Sequence, residues 1–460
     1  MTAAIGDTAS ATARAGAALA LTTQLWKQRL GVWWLGRVRG DTLSRVWLPA
    51  GIRDPYPLYA RLRAEGALPR SRTGAWVAAR HEVANQVLRD RRFGVRAKDA
   101  PYPPASGVGT LTPGGDQAPD EAVAEWDMSF LELDPPHHTR LRRLVAPAFG
   151  PRMITGYRER IERTTSELLD KAIANGEFDL IRDFATPLPI AVISDLLGIP
   201  DVDVERFSRY GNIVGASLDG VHSVRHAREL REARADLNAL FTQLVEQRRT
   251  EPGDDVISRL GRALGEEKLA GPELLNTARL LLVAGFETTV NLIGNGMLAL
   301  LAHPDQWERL RTDPSLAPRV VEEVLRYDPP VQGTTRIAHE EIELAGRTVR
   351  PGQWVVVLLG AAGRDAAVYD DPDRFDIGRD TDVEHLAFSS GIHYCVGAPL
   401  ARLEGEIAFR ALAERLPALV REGPVQRRTS FTIRGVSTFP LTLASQLDEG
   451  TPDPSRVRMR

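Results

Sequence analysis

The 460 residues, 43% hydrophobic and 26% charged, suffice for a large core and are too polar for a membrane bundle, so a soluble globular chain is expected. A net charge of -3 sets up no field that would gather nucleic acid, and no basic cluster is interleaved with aromatics. The single cysteine, Cys395, excludes an internal disulfide, a cysteine-rich zinc site and an iron–sulfur cluster, and suits a reducing cytoplasm.

In chain order, the first 50 residues stand apart. Arg14, Lys27, Arg29, Arg37, Arg39 and Arg45 against Asp7 and Asp41 give a local +4, leaving -7 for the remainder. Ala15 to Trp26 is uncharged but only 12 residues long, short of the roughly 20 that span a bilayer. Trp26, Leu30, Trp33 and Trp34 fall at i, i+4, i+7 and i+8, one helical face. Two readings stand: a helix docked on the protein's own core, or reversible peripheral contact of residues 15–39 with an anionic membrane surface. Residues 101–120 hold nine Pro or Gly and read as a loop forming a mobile wall over a site.

From Asp134 onward helical periodicity dominates, with helices expected at 138–148, 153–175, 183–197, 224–249, 272–302, 315–327 and 399–416. Glu341–Arg350 and Gln353–Leu359 read as one small sheet and Phe431–Leu443 as a late hairpin. No internal repeat divides the chain. The expected fold is therefore mainly α with small antiparallel β-sheets, a single large domain at 51–446 between an N-terminal extension (1–50) and a tail (447–460).

Around the cysteine the chain reads Phe388-Ser-Ser-Gly391-Ile-His393-Tyr-Cys395-Val-Gly397, then Ala398-Pro399 and a helical stretch. Gly391 and Gly397 let backbone N–H groups and a helix N-terminus approach the sulfur, which favours a thiolate. Haem iron accepts such a thiolate axially, pushing electron density onto the metal and favouring O–O cleavage. The spaced Phe, Gly, His, Cys and Gly resemble the signature of the cytochrome P-450 superfamily of haem-thiolate monooxygenases, over roughly residues 50–445. The resemblance implies that fold, haem b (iron protoporphyrin IX) as cofactor, and Cys395 as axial ligand of its iron, with Phe388, Gly391, His393 and Gly397 around the cofactor.

Within the expected helix at 272–302, Ala284-Gly285-Phe286-Glu287-Thr288-Thr289 breaks an apolar run. An interior Gly costs about 1 kcal/mol against Ala, and an unpaired buried carboxylate costs more. Gly285 leaves room where oxygen could sit, while Thr288 offers a hydroxyl and Glu287 a titratable group for moving protons. This is similar to the superfamily's acid–alcohol pair. A Thr that merely bonds back to the carbonyl four residues earlier is the plainer alternative.

Glu323 and Arg326, at i and i+3, share a helix face; the resemblance makes them a buried structural pair, completed by Arg374 or Arg379. Haem propionates want cationic donors, and the resemblance points to His138, Arg142, Arg336 and His393. His138 and Arg142 share one face of a helix for which Asp134 is the expected N-cap. One departure from the family pattern is Gly363 in Ala362-Gly363-Arg364-Asp365, which bears on a local turn.

By position in the resembled fold, substrate contacts fall in the 95–130 loop, the 205–225 region, Val283, Ala284, Val331, Gln332, Val436, Ser437 and Thr438. The implied activity is insertion of one atom of O2 into a small apolar organic substrate. With no flavin or NAD(P)H module of its own, the chain takes electrons from a ferredoxin and a ferredoxin reductase driven by NAD(P)H. An acidic partner would meet Arg140, Arg143 and Arg402. The rivals are a peroxide-driven peroxygenase, against which Thr288 speaks, and a haem-based sensor or carrier, in which the acid–alcohol pair would have no purpose.

Overall fold

Secondary structure follows the apolar periodicity, and the caps follow the side chains at each start. In this computed structural model, residues 3–98, 129–175, 177–416 and 418–443 are described; the Pro/Gly-rich stretch 101–120 and the tail at 447–460 lie outside them. The helices are α1 (Ala3–Arg37), α2 (Thr42–Val46), α3 (Pro49–Arg53), α4 (Tyr56–Ala64), α5 (His81–Arg89), α6 (His137–Val145), α7 (Pro151–Asn175) and α8 (Pro187–Leu197). They continue with α9 (Val204–Ser217), α10 (Val224–Thr250), α11 (Val256–Gly265), α12 (Gly271–Ala302), α13 (Pro304–Thr312), α14 (Ala317–Tyr327), α15 (Leu359–Ala362) and α16 (Ala398–Arg415).

The strands are short: β1 (Trp76–Ala78), β2 (Phe93–Gly94), β3 (Glu177–Asp179), β4 (Thr334–Ala338), β5 (Ile342–Leu344), β6 (Arg347–Val349), β7 (Trp354–Val357), β8 (Leu419–Arg421), β9 (Gln426–Arg427), β10 (Val436–Thr438) and β11 (Pro440–Leu443). All expected helices are present within a few residues. α9 starts on Asp203, whose carboxylate accepts from Arg206 N, and α10 on Ser223, whose hydroxyl accepts from His226 N. At α12, Glu273 reaches back to the N–H of Ala270.

Three expectations change. Asp134 does not cap α6; its carboxylate accepts from the N–H groups of Val95 and Arg96 after β2, and α6 opens on Pro136 without a side-chain cap. The 341–359 stretch is split: β5 and β6 form their own hairpin, while β7 joins a four-stranded sheet in the order β1-β7-β4-β2, its pairing with β1 parallel. The late hairpin is absent as well, since β10 pairs with β9 and β11 inserts between β3 and β8.

α12 is the spine, about 48 Å long at 1.5 Å per residue. It packs against α8, α9, α14 and α16, and Leu282, Ile293 and Met297 are fully buried in the main helical core. A smaller core joins α2 and α4 to the sheet through Leu43, Val46, Tyr59, Leu62 and Val356. Burial of Leu43 and Val46 contributes about 1.5–3 kcal/mol each, so the compositional boundary at residue 50 falls inside the packed body. α1 is apolar on two sides: Leu21, Leu25, Val32 and Leu35 are half-buried, whereas Trp26 (62% exposed), Leu30 and Trp33 face outward. The tryptophan stripe therefore does not dock on the protein's own core.

Candidate active site

The cysteine loop is shaped by backbone. Cys395 N donates to Phe388 O at 2.8 Å, closing the turn. Gly391, at φ +69°, lies so close to α5 that a Cβ there would stand 2.5 Å from Leu88 O, and its positive φ is one that a side chain resists. A Cβ on Gly397 would stand 4.0 Å from the Cys395 sulfur. The thiol is accessible, but dehydration by its surroundings pushes its pKa up; the N–H groups of Gly397 and Ala398 and the Arg142 and Arg402 charges act in the opposite sense. The Gly397 and Ala398 donors open α16, whose dipole adds to the same field.

Beside the cysteine four donors gather: His138 and Arg142 from α6, Arg336 from β4 and His393 from the loop. The His138 and His393 rings are 4.3 Å apart. Both ring nitrogens of His138 and Nε2 of His393 are buried without a hydrogen-bond partner. Burial, then the positive charges of Arg336, His138 and Arg142, depresses His393 to about 2. Arg336 is brought down to about 10 by burial, with the Asp134 charge opposing; its guanidinium donates to Thr334 Oγ1 and Thr335 O. Arg142 donates to Tyr394 O, which anchors it to the cysteine loop. Two guanidiniums beside imidazole nitrogens that lack partners want an anion, so the set fits the two carboxylates of a haem, and the accessible cysteine fits its iron.

On α12, Ala284 is exposed and Thr288 partly so between buried neighbours, so this turn lines an opening. Thr288 Oγ1 donates to Ala284 O at 2.8 Å, the back-bonded arrangement. Glu287 turns its buried carboxylate to Arg428, 2.5 Å from Nη1, and burial raises its pKa while Arg428 and Asn291 oppose the rise. Arg428 also donates to Asn212 of α9 at 2.6 Å. No local sequence signal pointed to Arg428. Gly285 does not face the opening: a Cβ there would meet the Ile193 side chain of α8 at 2.7 Å, so the glycine serves helix packing.

Glu323 and Arg326 are 3–4% exposed and doubly bonded at 2.7 and 2.8 Å. Arg326 also donates to the carbonyls of Gly363, Pro372 and Arg374, and Arg379 approaches Glu323 at 3.4 Å. Arg379 completes the pair with its side chain, Arg374 only with its carbonyl. The departure at Gly363 has its reason here, since a Cβ would collide with Arg326 O.

Among the substrate candidates, Gln332 and Val436 lie in the packed interior. Gln332 is 1% exposed and bonded to Pro329 O and the Tyr59 hydroxyl, and Val436 is fully buried against Gly294 of α12. Val283 is buried, Val331 and Thr438 are half-buried, and Ser437 is exposed on a strand. The expected docking patch loses two members: Arg402 is bonded to Glu322 at 2.7 Å and to the Tyr394 hydroxyl, and Arg140 is paired with Glu273. Arg143 stays exposed.

Residues 126–428 match the family model of cytochrome P450. The chain is 42% identical over 400 residues to cytochrome P450 monooxygenase PikC of Streptomyces venezuelae, covering 84% of this chain and 91% of that protein. It is 40% identical over 398 residues to the 6-deoxyerythronolide B hydroxylase of Saccharopolyspora erythraea, covering 85% and 96%. A solved structure of P450BioI in complex with an acyl carrier protein ligated to hexadec-9Z-enoic acid superposes with a TM-score of 0.76 at 35% identity, covering 85% and 99%.

The chain belongs to the cytochrome P450 family, in its bacterial type. It is a haem-dependent monooxygenase, an oxidoreductase that incorporates oxygen from O2 into an organic substrate and draws on redox partners. Among the described residues no helix is long and apolar enough to cross a membrane.

Proposed function

We propose that Cys395 is the axial ligand of haem b and that His138, Arg142, Arg336 and His393 receive its propionates. The observation that carries the reading is the charge imbalance beside the cysteine: the Arg142 and Arg336 guanidiniums with, among the described residues, Asp134 and Cys395 to oppose them, and buried imidazole nitrogens of His138 and His393 without partners. Each charge-assisted bond to a carboxylate is worth about 1.5–3 kcal/mol. Bound haem supplies the activation of dioxygen. Gly397 and Ala398 hold the thiolate by their N–H groups, while Phe388 and Gly391 fix the loop.

The accessible turn at Ala284 and Thr288 forms the opposite wall of the same chamber. There Thr288 Oγ1 holds a proton at the wall, and the Glu287 carboxyl, on leaving Arg428, takes up a proton from solvent and passes it toward Thr288; Gly285 keeps α12 against α8. Val283, Ala284, Val331 and Thr438 line the substrate side. Electrons come from a ferredoxin and its NAD(P)H-driven reductase, in the cytoplasm. Peripheral membrane contact through residues 15–39 belongs to the same reading. The relatives' names make macrolactones and carrier-bound fatty acyl chains the apolar substrate classes to screen first.

Thr288→Ala is the test of the oxygen-side reading. With ferredoxin, reductase and a substrate, NAD(P)H consumption should continue while product falls and hydrogen peroxide accumulates, as expected when proton delivery is misdirected. Unchanged coupling between NAD(P)H and product would remove Thr288 and Glu287 from the reaction.

A further inference from the structure

α1 carries a second apolar face that the fold leaves in water. Of the nine large hydrophobic residues exposed among the described ones, six are Leu19, Trp26, Leu30, Trp33, Trp34 and Val38. At 100° per residue, Leu19, Trp26, Leu30 and Trp33 fall in a stripe about 60° wide, and Lys27 and Arg29 flank it on opposite sides. Patches of this kind on soluble proteins mark an interaction surface. From Thr8 to Gly40 there is no acidic residue, against Arg14, Lys27, Arg29, Arg37 and Arg39.

We propose that α1 docks this protein in the plane of an anionic membrane surface, with Trp26 and Trp33 at headgroup depth and Lys27 and Arg37 on the lipid phosphates. This rests on the proposed peripheral contact and deepens it by fixing the depth of the two tryptophans and which edge of the protein faces the lipid. The stripe is one-sided and edged by cations, and the opposite face (Leu21, Leu25, Val32 and Leu35) is taken up by the protein, so the helix lies in the interface. Tryptophan rings prefer that depth, apolar in body and polar at the N–H. A second copy of the chain is the weaker occupant, because a two-fold interface would set Lys27, Arg29 and Arg37 against themselves.

The docked face has a fixed relation to the proposed chamber. Arg29 Nη2 donates to His222 O at 2.8 Å, in the connection between α9 and α10. α9 in turn roofs α12: a Cβ on Gly211 would lie 2.9 Å from the Glu287 carboxylate. Docking therefore turns the α9–α10 edge toward the lipid.

Flotation of the full-length holoprotein with phosphatidylcholine vesicles, with and without phosphatidylglycerol, tests this without turnover, so its outcome is separate from that of the haem-site reading. Binding is expected to the anionic vesicles at low salt, with a blue shift of tryptophan emission and quenching by brominated lipid. Each cation near such a surface contributes about fivefold in partition, so Lys27→Glu with Arg37→Glu should weaken binding at least about tenfold, and Trp26→Glu with Trp33→Glu should abolish it. The four positions are exposed, and an unchanged carbon-monoxide spectrum will show that the variants fold. No binding at low salt overturns the proposal, as does binding that survives the tryptophan changes. A concentration-dependent dimer dissolved by those changes, without vesicle binding, assigns the face to a second copy instead.

Discussion

The fold treats two groups of buried arginine and histidine side chains in opposite ways. Around Glu323, the guanidinium of Arg326 finds a bidentate carboxylate and three carbonyls, and Arg379 stands by the same acid. Around His393, two guanidiniums and an imidazole meet with orphan nitrogens and, among the described residues, no bonded carboxylate. Residue type alone does not separate these groups; their acceptors do. A satisfied buried charge holds the chain together, whereas an unsatisfied one is a socket for something the chain does not itself contain.

The sharpest break of that comparison is Cys395→Ser. It should eliminate the carbon-monoxide band characteristic of thiolate-ligated haem while leaving the Glu323 network intact; a retained band would overturn the assignment of the ligand. Next in size is Glu323→Ala, which strands Arg326 in the core and should cost about 3–5 kcal/mol in urea unfolding of the apoprotein.

Arg336→Leu should give the opposite sign. Removing an unpaired buried cation should leave the apoprotein as stable or more so, yet lower haem affinity about ten- to a hundredfold, the loss of one charge-assisted pair. If Arg336→Leu destabilised the apoprotein as Glu323→Ala does, the two groups would not differ in kind.

The smallest effect concerns acid stability. Burial alone would raise Glu322, but hydrogen bonds and charge from His385 and Arg402 hold it at about 2, against its ordinary 4.5. A carboxyl depressed in the folded state contributes stability above pH 4.5 that is lost as pH falls toward 2. Glu322→Gln should lower the neutral plateau of a urea-midpoint profile slightly, leave its value near pH 2 unchanged and so flatten that limb, the change being small because Glu322 is partly solvated.

What was legible in the sequence was local. Periodicity located α12 and α14, and the spacing of Phe388, Gly391, His393, Cys395 and Gly397 located the loop, because these features depend on residues within a few positions of one another. What was not legible depends on who arrives from elsewhere. Arg428 comes from the C-terminal segment to meet Glu287, Glu322 and Glu273 occupy Arg402 and Arg140, and Ile193 explains Gly285. Strand pairing failed for the same reason: β7 reads as the neighbour of β6, but Trp76–Ala78 offers it a longer hydrophobic sheet to join.

The contact between Gly391 and the Leu88 carbonyl gives the cysteine loop a lopsided tolerance to change. Its support on α5 is peptide backbone, so any residue that keeps the helix at positions 88 and 89 leaves that support in place. Position 391 has no such latitude, because even one added methyl group must push the loop, and the sulfur with it, away from the helix. In a randomised library the thiolate's position is thus guarded less by the residues that touch it than by one hydrogen atom four places upstream.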